Sequence, residues 1–431
     1  MGLFGTLAAL LTVTAVFAYV NHRTVRLPTT IGVMLIALVT SLALLALHGV
    51  GIDLDVPARR LLQGIDFDET LLQGMLSFLL FAGALHVDLG DLVEHRRTIA
   101  VLATLGVVIS TAVIGGLTFV AAGALGLDLR PIDALLFGAL ISPTDPIAVM
   151  GLLATMGVPR SLETKIAGES LFNDGVGVVV FLILLDLARG TEPVTAGDVA
   201  LLFAQEAGGG AVFGAAAGYV AYRMLRSIDD YKVEVLVTLA LVTGGYALAG
   251  ALHLSAPIAV VVAGLLIGNQ GRAFAMSDLT RDRLDVFWEL IDEVLNAVLF
   301  VLIGLEILVI TFAPSAVVLA LLAVPIALLG RAVGVFVPLT ALQPFGLRQE
   351  AGVKRVLIWG GLRGGISVAL ALSLPAGPVR ETILVATYAV VVFSIVVQGL
   401  TVPRLVRRVL QTGPPRDLDP LDGDPAPPAV A

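Results

Sequence analysis

Cysteine is absent from this 431-residue chain, and charged residues are scarce, at 14% of the sequence. An average soluble domain has about 25% charged residues, so a soluble globular protein and a disordered chain are both excluded. The absence of cysteine excludes a disulfide scaffold, iron–sulfur or other redox chemistry and thiolate metal sites. The formal net charge is only −8, and without a basic domain we expect no nucleic-acid partner.

Hydrophobic residues make up 58% of the sequence and are concentrated in long runs. A membrane-spanning helix needs about 20 mostly apolar residues. The sequence therefore predicts an all-α integral membrane protein with about thirteen transmembrane helices in the lipid bilayer. The candidate spans are residues 2–20, 28–50, 71–87, 98–125, 132–158, 166–187, 198–224, 234–252, 254–270, 286–312, 314–342, 355–374 and 381–402. The division between the eighth and ninth spans, near His253, is the least distinct.

The positions of lysine and arginine predict the orientation of these spans. Loops after odd-numbered spans hold 19 of the 26 basic residues and loops after even-numbered spans hold 5, while Arg331 and Arg363 lie inside hydrophobic segments. Because basic loops stay in the cytoplasm, we expect the N-terminus outside and the C-terminus in the cytoplasm. Residues 409–431, rich in proline and aspartate, are predicted to form a short disordered cytoplasmic tail, which leaves 1–408 as the transmembrane domain.

Two of the predicted spans are interrupted by helix-breaking residues. The fifth span contains ISPTDP at 141–146, and the twelfth contains GGLRGG at 360–365. Irregular backbone persists in a membrane only where it lines a cavity inside the protein. The breaks lie seven spans apart, which predicts two inverted six-helix repeats, at about 1–188 and 234–404, joined by a linker helix at about 198–224. Matched breaks in inverted halves indicate a transporter's binding site.

Polar residues cluster on the sixth span, in the stretch GESLFNDGVG at 168–177. Glu169 and Asn173 share one helix face, and Ser170 and Asp174 share the neighbouring face, because residues four apart are neighbours on a helix. Ionisable groups inside a membrane are costly and usually functional. This part of the sixth span is therefore the first candidate for a binding site.

Thr144 and Asp145, in the first break, can meet Asp174 across a cavity. Carboxylate, hydroxyl and carbonyl oxygens are ligands for small hard cations, and these segments lack the Cys and His that favour zinc or copper. A buried carboxylate resists ionisation, so Asp174 can hold either a proton or a metal cation. That competition is sufficient for cation/proton exchange.

At this point the sequence resembles a known family. ISPTDPIAVM at 141–150, followed by GESLFNDGVGVVVF at 168–181, is similar to the monovalent cation:proton antiporter family, in its NhaP-like sodium/proton exchanger branch. The stretches at 287–306 and 358–375 resemble other signatures of that family. The resemblance implies a transporter and not an enzyme, without a cofactor, that exchanges Na⁺ or Li⁺ for protons across a bacterial inner membrane. It also implies a homodimer, broken core helices that cross, and elevator-type alternating access.

The resemblance also assigns roles to individual residues. Asp174 becomes the carboxylate that exchanges cation for proton, Asp145, Thr144 and Ser170 complete the Na⁺ site, and Asn173 is the fifth residue of the predicted cation- and proton-binding set. Electrogenic relatives carry two adjacent aspartates where this chain has Asn173 and Asp174. A single exchangeable carboxylate predicts one proton per cation, which makes the exchange electroneutral.

Buried charges outside this cation site also have predicted roles. Glu169 resembles a structural acid that pairs with a buried arginine. Arg331 is the first candidate for that partner and Arg363 the second, although Arg363 could instead offset the helix ends at the second break. Ala82 departs from the pattern, since many relatives have an acid at that position.

An acidic face on the tenth span has two interpretations of equal weight. Glu289, Asp292, Glu293 and Asn296 recur at helical spacing. They form either a funnel that concentrates cations or a face paired with the arginines that precede it. Among whole functions, a K⁺/H⁺ antiporter on the same scaffold is the main alternative. An intramembrane aspartyl protease gives the matched breaks no role, and a passive channel would lack coupling between the ions.

Overall fold

The structure, a computed structural model, describes residues 3–54, 74–145, 158–190, 196–310, 313–345 and 351–412, with the single positions 56, 59, 62, 149, 150 and 153. The predicted disordered tail begins at 409, but residues 409–412 are helical, and from position 413 onward the tail lies outside the described residues. Pro146 of the first break and most of the second half of the fifth span also lie outside them. The helix bounds below refer to the described ranges.

Helices account for almost all regular structure in these ranges, and eight of them are long and apolar enough to cross a membrane. The elements are α1 (Leu3–Val20), α2 (Thr29–Gly49), α3 (Leu76–Leu85), α4 (Leu89–Ala124), α5 (Pro131–Ile141), α6 (Arg160–Arg189), α7 (Ala196–Phe203 and Gly209–Leu225, joined by the π-helical Ala204–Gly208), α8 (Tyr231–Ala251), α9 (Ala256–Phe274), α10 (Asp278–Glu306), α11 (Pro314–Ala341), α12 (Ala351–Trp359), α13 (Gly365–Leu372) and α14 (Pro378–Phe393 and Gly399–Thr412, joined by the π-helical Ser394–Gln398). These helices confirm the predicted all-α membrane architecture.

Two helices begin well before the hydrophobic runs that predict them. The prediction starts the fourth span at 98, but α4 begins at Leu89, because the Asp88 carboxylate accepts two backbone N–H groups of the first turn, at 2.7 and 3.0 Å. Similarly α10 begins at Asp278 and not at 286, capped by Ser277, whose hydroxyl accepts a first-turn N–H at 3.4 Å. Both first turns contain charged residues, so a hydropathy pattern leaves them out of the predicted span. The capping side chains nevertheless favour a helix there.

The indistinct boundary between the eighth and ninth spans is a tight corner in the structure. His253 has a left-handed backbone with φ of 54°, and the hydroxyl of Ser255 accepts the N–H of Ile258 at 3.4 Å to cap α9. A left-handed residue ends a helix, and a serine cap begins the next one. The two apolar helices are therefore separate and antiparallel neighbours.

The helices form two groups, and the candidate site lies between them. In one group, α4, α5, α6, α11, α13 and α14 pack against one another. In the other, α10 packs on α2, while α3, α7 and α8 pack on α9. A cavity of about 520 Å³ separates the groups, with α2, α3 and α10 on one wall and α6, α13 and the first break on the other. The predicted repeat boundaries, near 188 and 234, stay a prediction.

Candidate functional site

The two interrupted segments meet each other in the structure. α5 ends at Ile141, and the backbone N–H of Asp145 donates to the carbonyl of Leu362 at 2.9 Å, as an isolated antiparallel bridge. Leu362 lies in the gap between α12 and α13. The two breaks therefore satisfy part of each other's freed backbone, which is the condition for irregular chain at membrane depth. A Cβ atom at Gly364 would overlap the carboxylate of Asp145, so this close approach requires glycine.

Asn173 of α6 holds the first break in place through Thr144. Its side-chain oxygen accepts the backbone N–H of Thr144 at 3.1 Å, and its amide nitrogen donates to the Thr144 hydroxyl at 2.8 Å. The Thr144 and Ser170 hydroxyls are 3.0 Å apart and hydrogen-bonded. All three side chains are buried. One amide thus replaces the helical partner that Thr144 lost and also orients its hydroxyl.

Asp174 lies beside this polar cluster and lines the cavity, as does Asp145. Its side chain is 5% exposed. Asp145 and Arg363 are the charged residues that interact with it electrostatically. None of the described residues donates a hydrogen bond to the Asp174 carboxylate. Both of its oxygens are therefore available to a proton or a cation that enters the cavity.

Glu169 has the opposite environment, because a buried arginine holds both of its oxygens. Arg331 donates from Nη1 to one carboxylate oxygen and from Nη2 to the other, the second at 2.9 Å. The same guanidinium donates to the carbonyl of Leu357 from Nε at 3.2 Å and from Nη2 at 2.8 Å. Bidentate, charge-assisted bonds of this kind fix geometry as well as charge. They join α6, α11 and α12 behind the cavity.

Arg363 stays at the second break and does not hydrogen-bond to Glu169. Its backbone N–H donates to the Ser394 hydroxyl at 2.9 Å, and its guanidinium donates to the carbonyl of Gly361 at 3.3 Å. The side chain is 3% exposed. A cation is the charge that favours the carbonyl-rich end of a helix, so the predicted compensation of the helix end by Arg363 stays a prediction.

The acidic face of α10 shares the cavity with Asp174. Asp292, Glu293 and Asn296 line it from the wall opposite α6. The two arginines that precede this face do not pair with it, since Arg281 pairs with Asp278 at 3.2 Å and Arg283 forms no ion pair with a described residue. This arrangement favours the funnel interpretation over the interpretation in which the acidic face is paired.

Sequence reasoning missed two polar residues of α14 that support the second break. Besides the contact from Ser394, Gln398 donates from its amide to the carbonyl of Trp359 at 2.9 Å, at the end of α12. Both are buried. A polar pair four residues apart in an apolar run was the signal that could have found them.

The geometry has a counterpart among solved structures. The structure of the sodium proton antiporter MjNhaP1 from Methanocaldococcus jannaschii at pH 8 matches with a TM-score of 0.74, at 20% identity, and the alignment covers 95% of this chain and 100% of that one. The fold is therefore the sodium/proton antiporter fold, in which broken helices meet inside a helical membrane domain.

Sequence comparisons narrow this class to a family. Residues 11–408 match the family described as sodium/hydrogen exchanger, transmembrane. The Na⁺/H⁺ antiporter NhaP of Pseudomonas aeruginosa is 53% identical over 406 residues, which are 93% of this chain and 96% of the relative. The Na⁺/H⁺ antiporter NhaH of Halobacillus dabanensis is 36% identical over 392 residues, or 89% and 92% of the two chains. The chain belongs to the transmembrane sodium/hydrogen exchanger family, whose members are transporters and not enzymes.

Proposed function

We propose that the protein is a secondary active antiporter that exchanges Na⁺, or Li⁺, for H⁺ by competition of the two ions for Asp174. The observation that carries this proposal is the Asp174 carboxylate, buried at the cavity wall with no hydrogen-bond donor among the described residues. An unpaired buried charge is unfavourable. The carboxylate therefore binds a proton or a cation, and each ion displaces the other.

The neighbouring oxygens suit a small monovalent cation. Asp145, Thr144 and Ser170 supply carboxylate and hydroxyl ligands beside Asp174, which are the hard donors that such cations prefer. Asn173 orients Thr144 through its two hydrogen bonds. Glu169 is neutralised by Arg331 and has no part in the exchange beyond support.

The packing supports elevator-type alternating access. The group that contains α6 and both breaks would move against the group of α2, α3 and α10, which exposes Asp174 to one side of the membrane at a time. The cavity reaches the ends of α2 and α3 that the arginine distribution assigns to the cytoplasm, since Thr29 and His86 line it. This supports an inward-facing arrangement, with Asp292 and Glu293 attracting cations to the entrance.

Asp174→Asn tests the assigned site directly. In proteoliposomes with an imposed Na⁺ gradient, we expect the variant to lose Na⁺-driven proton movement, because the amide cannot exchange a proton. Asp186→Asn, on an exposed position of the same helix, is the matched control and should keep exchange. Full activity of Asp174→Asn would rule out this site. The same assay with K⁺ in place of Na⁺ tests the alternative of K⁺/H⁺ exchange.

If only one carboxylate exchanges ions, the membrane potential should have no effect on the equilibrium of Na⁺/H⁺ exchange. Asn173 is neutral and Glu169 is paired, so one proton should move per cation. Each net charge moved would couple to about 2.3 kcal/mol per 100 mV. We expect the equilibrium Na⁺ gradient to stay the same when a potassium diffusion potential is imposed with valinomycin. A gradient that shifts with the potential would show that a second proton moves.

A further inference from the structure

A pocket away from the candidate ion site lies between α12 and α14. Two hydrogen bonds join these helices. The Trp359 indole donates to the Thr401 hydroxyl at 2.9 Å, and Gln398 donates to the Trp359 carbonyl at 2.9 Å. The pocket has a volume of about 470 Å³. It lies at the end of the bundle that the arginine distribution assigns to the cytoplasm.

The lining of this pocket is positively charged on one side and apolar on the other. Arg355, Arg404 and Arg408 contribute the charge, and no acidic residue lines it among the part of the chain described. Arg355 and Arg404 are exposed and form no ion pair within the described ranges. Ile358 and Leu405 line the same pocket.

We propose that this pocket binds an anionic glycerophospholipid, with its phosphate on the arginines and an acyl chain against the apolar wall. Guanidinium groups bind phosphate through paired N–H donors, and basic pockets between transmembrane helices bind anionic head groups. Basic residues that only set the orientation of the helices in the membrane need not converge on one pocket. A free phosphate ion would contact the arginines but would leave Ile358 and Leu405 without an apolar partner.

The position of the pocket links lipid binding to the second break. Trp359 is the last residue of α12, and the chain enters the break directly after it. A lipid that bridges Arg355 of α12 and Arg404 of α14 would fix the spacing of the two helices. That spacing sets the position of the break against Gln398 and Ser394. Binding itself does not depend on the proposed exchange function, whereas its effect on transport does.

Native mass spectrometry of the purified full chain tests the binding. The probe is dioleoylphosphatidylglycerol, and dioleoylphosphatidylcholine, with the same acyl chains, is its zwitterionic control. We expect Arg355→Gln/Arg404→Gln to weaken phosphatidylglycerol binding at least tenfold. The matched control Arg96→Gln/Arg407→Gln removes two exposed arginines outside the pocket and should change binding less than twofold.

Three results would overturn the proposal. Equal losses in both double variants would reduce the effect to general surface charge. Equal binding of the two lipids would remove the role of the head-group charge. Displacement of the lipid by millimolar inorganic phosphate alone would indicate a phosphate site without an acyl-chain contact. In liposomes, added phosphatidylglycerol should raise exchange by the wild type and by the control variant, but not by the pocket variant.

Discussion

Glu169 and Asp174 lie little more than one turn apart on α6, and their carboxylates have opposite surroundings. Glu169 accepts two hydrogen bonds from Arg331, whereas none of the described residues donates to Asp174. The same chemical group is therefore held in an ion pair at one position, whereas at the other its oxygens stay available for the exchange that we propose. The family resemblance predicts different roles for the two acids, and the positions of their neighbours supply the physical reason.

Glu169→Gln should destabilise the protein strongly. The change leaves the Arg331 side chain, 7% exposed, as a buried charge without its counter-ion, and breaking one partner of a buried pair costs about 3–5 kcal/mol. We expect a clearly lower melting temperature in detergent. Asp174→Asn is the matched comparison, since it removes a buried charge that has no hydrogen-bond donor, and its melting temperature should not fall. A larger loss for Asp174→Asn than for Glu169→Gln would contradict these assignments.

At the scale of elements, a stripe of glycines on α7 brings that helix into close contact with α9. Gly210, Gly214 and Gly218 recur every four residues and face Ser255, Ala259 and Ala263, which recur in the same way. Small residues at this spacing let membrane helices approach closely. A Cβ atom on Gly214 would overlap the backbone carbonyl of Ala259. The contact therefore depends on the absence of a side chain.

Gly214→Ala is expected to separate α7 from α9. The added methyl group must displace backbone, and overpacking of this kind typically costs about 1–3 kcal/mol, so the melting temperature should fall. In Gly208→Ala, on the same helix, the added Cβ meets nothing within 4 Å. Alanine has the higher helix propensity, so this control should be as stable as wild type or more so. Equal destabilisation by both changes would exclude the close contact as the cause.

The interruptions of the helices could be predicted from sequence, but their partners could not. Proline, threonine and glycine residues place both breaks correctly, because each weakens a helix locally. The bridge between Asp145 and Leu362 and the support from Gln398 join segments far apart in the chain. No local propensity records such a contact. Hydropathy also predicts helix starts too late in charged first turns, as after Asp88, because it takes no account of capping.

At the scale of the whole molecule, the cavity between the two helix groups brings distant acids together. Asp292 of α10 and Asp174 of α6 line opposite walls, although sequence reasoning treated the acidic face of α10 separately. The span pattern predicts membrane-spanning helices, and their packing decides which of them line the cavity. The orientation in the membrane, the homodimer and the inverted repeats stay predictions.

The proposed competition of Na⁺ and H⁺ for Asp174 predicts how the rate of exchange should respond to pH. Below the pH at which Asp174 is half-protonated, each unit of acidification raises the proton concentration tenfold and should lower the apparent Na⁺ affinity about tenfold. At high pH, Asp174 would lack the proton that it carries back after releasing Na⁺, so the rate of exchange should fall again. We therefore expect a bell-shaped profile of exchange in proteoliposomes.

This profile should need no separate pH sensor. His86 is the histidine that lines the cavity, and its ring bonds to the Ala82 carbonyl at 2.8 Å. His86→Gln should therefore keep both limbs of the profile, and loss of either limb would make the histidine a sensor.

Calorimetry of Na⁺ binding in buffers of different ionisation enthalpy counts the protons released. If a proton and Na⁺ exclude each other at Asp174, about one proton should be released per Na⁺ bound below the pH at which Asp174 is half-protonated. Na⁺ binding without proton release would contradict a shared site.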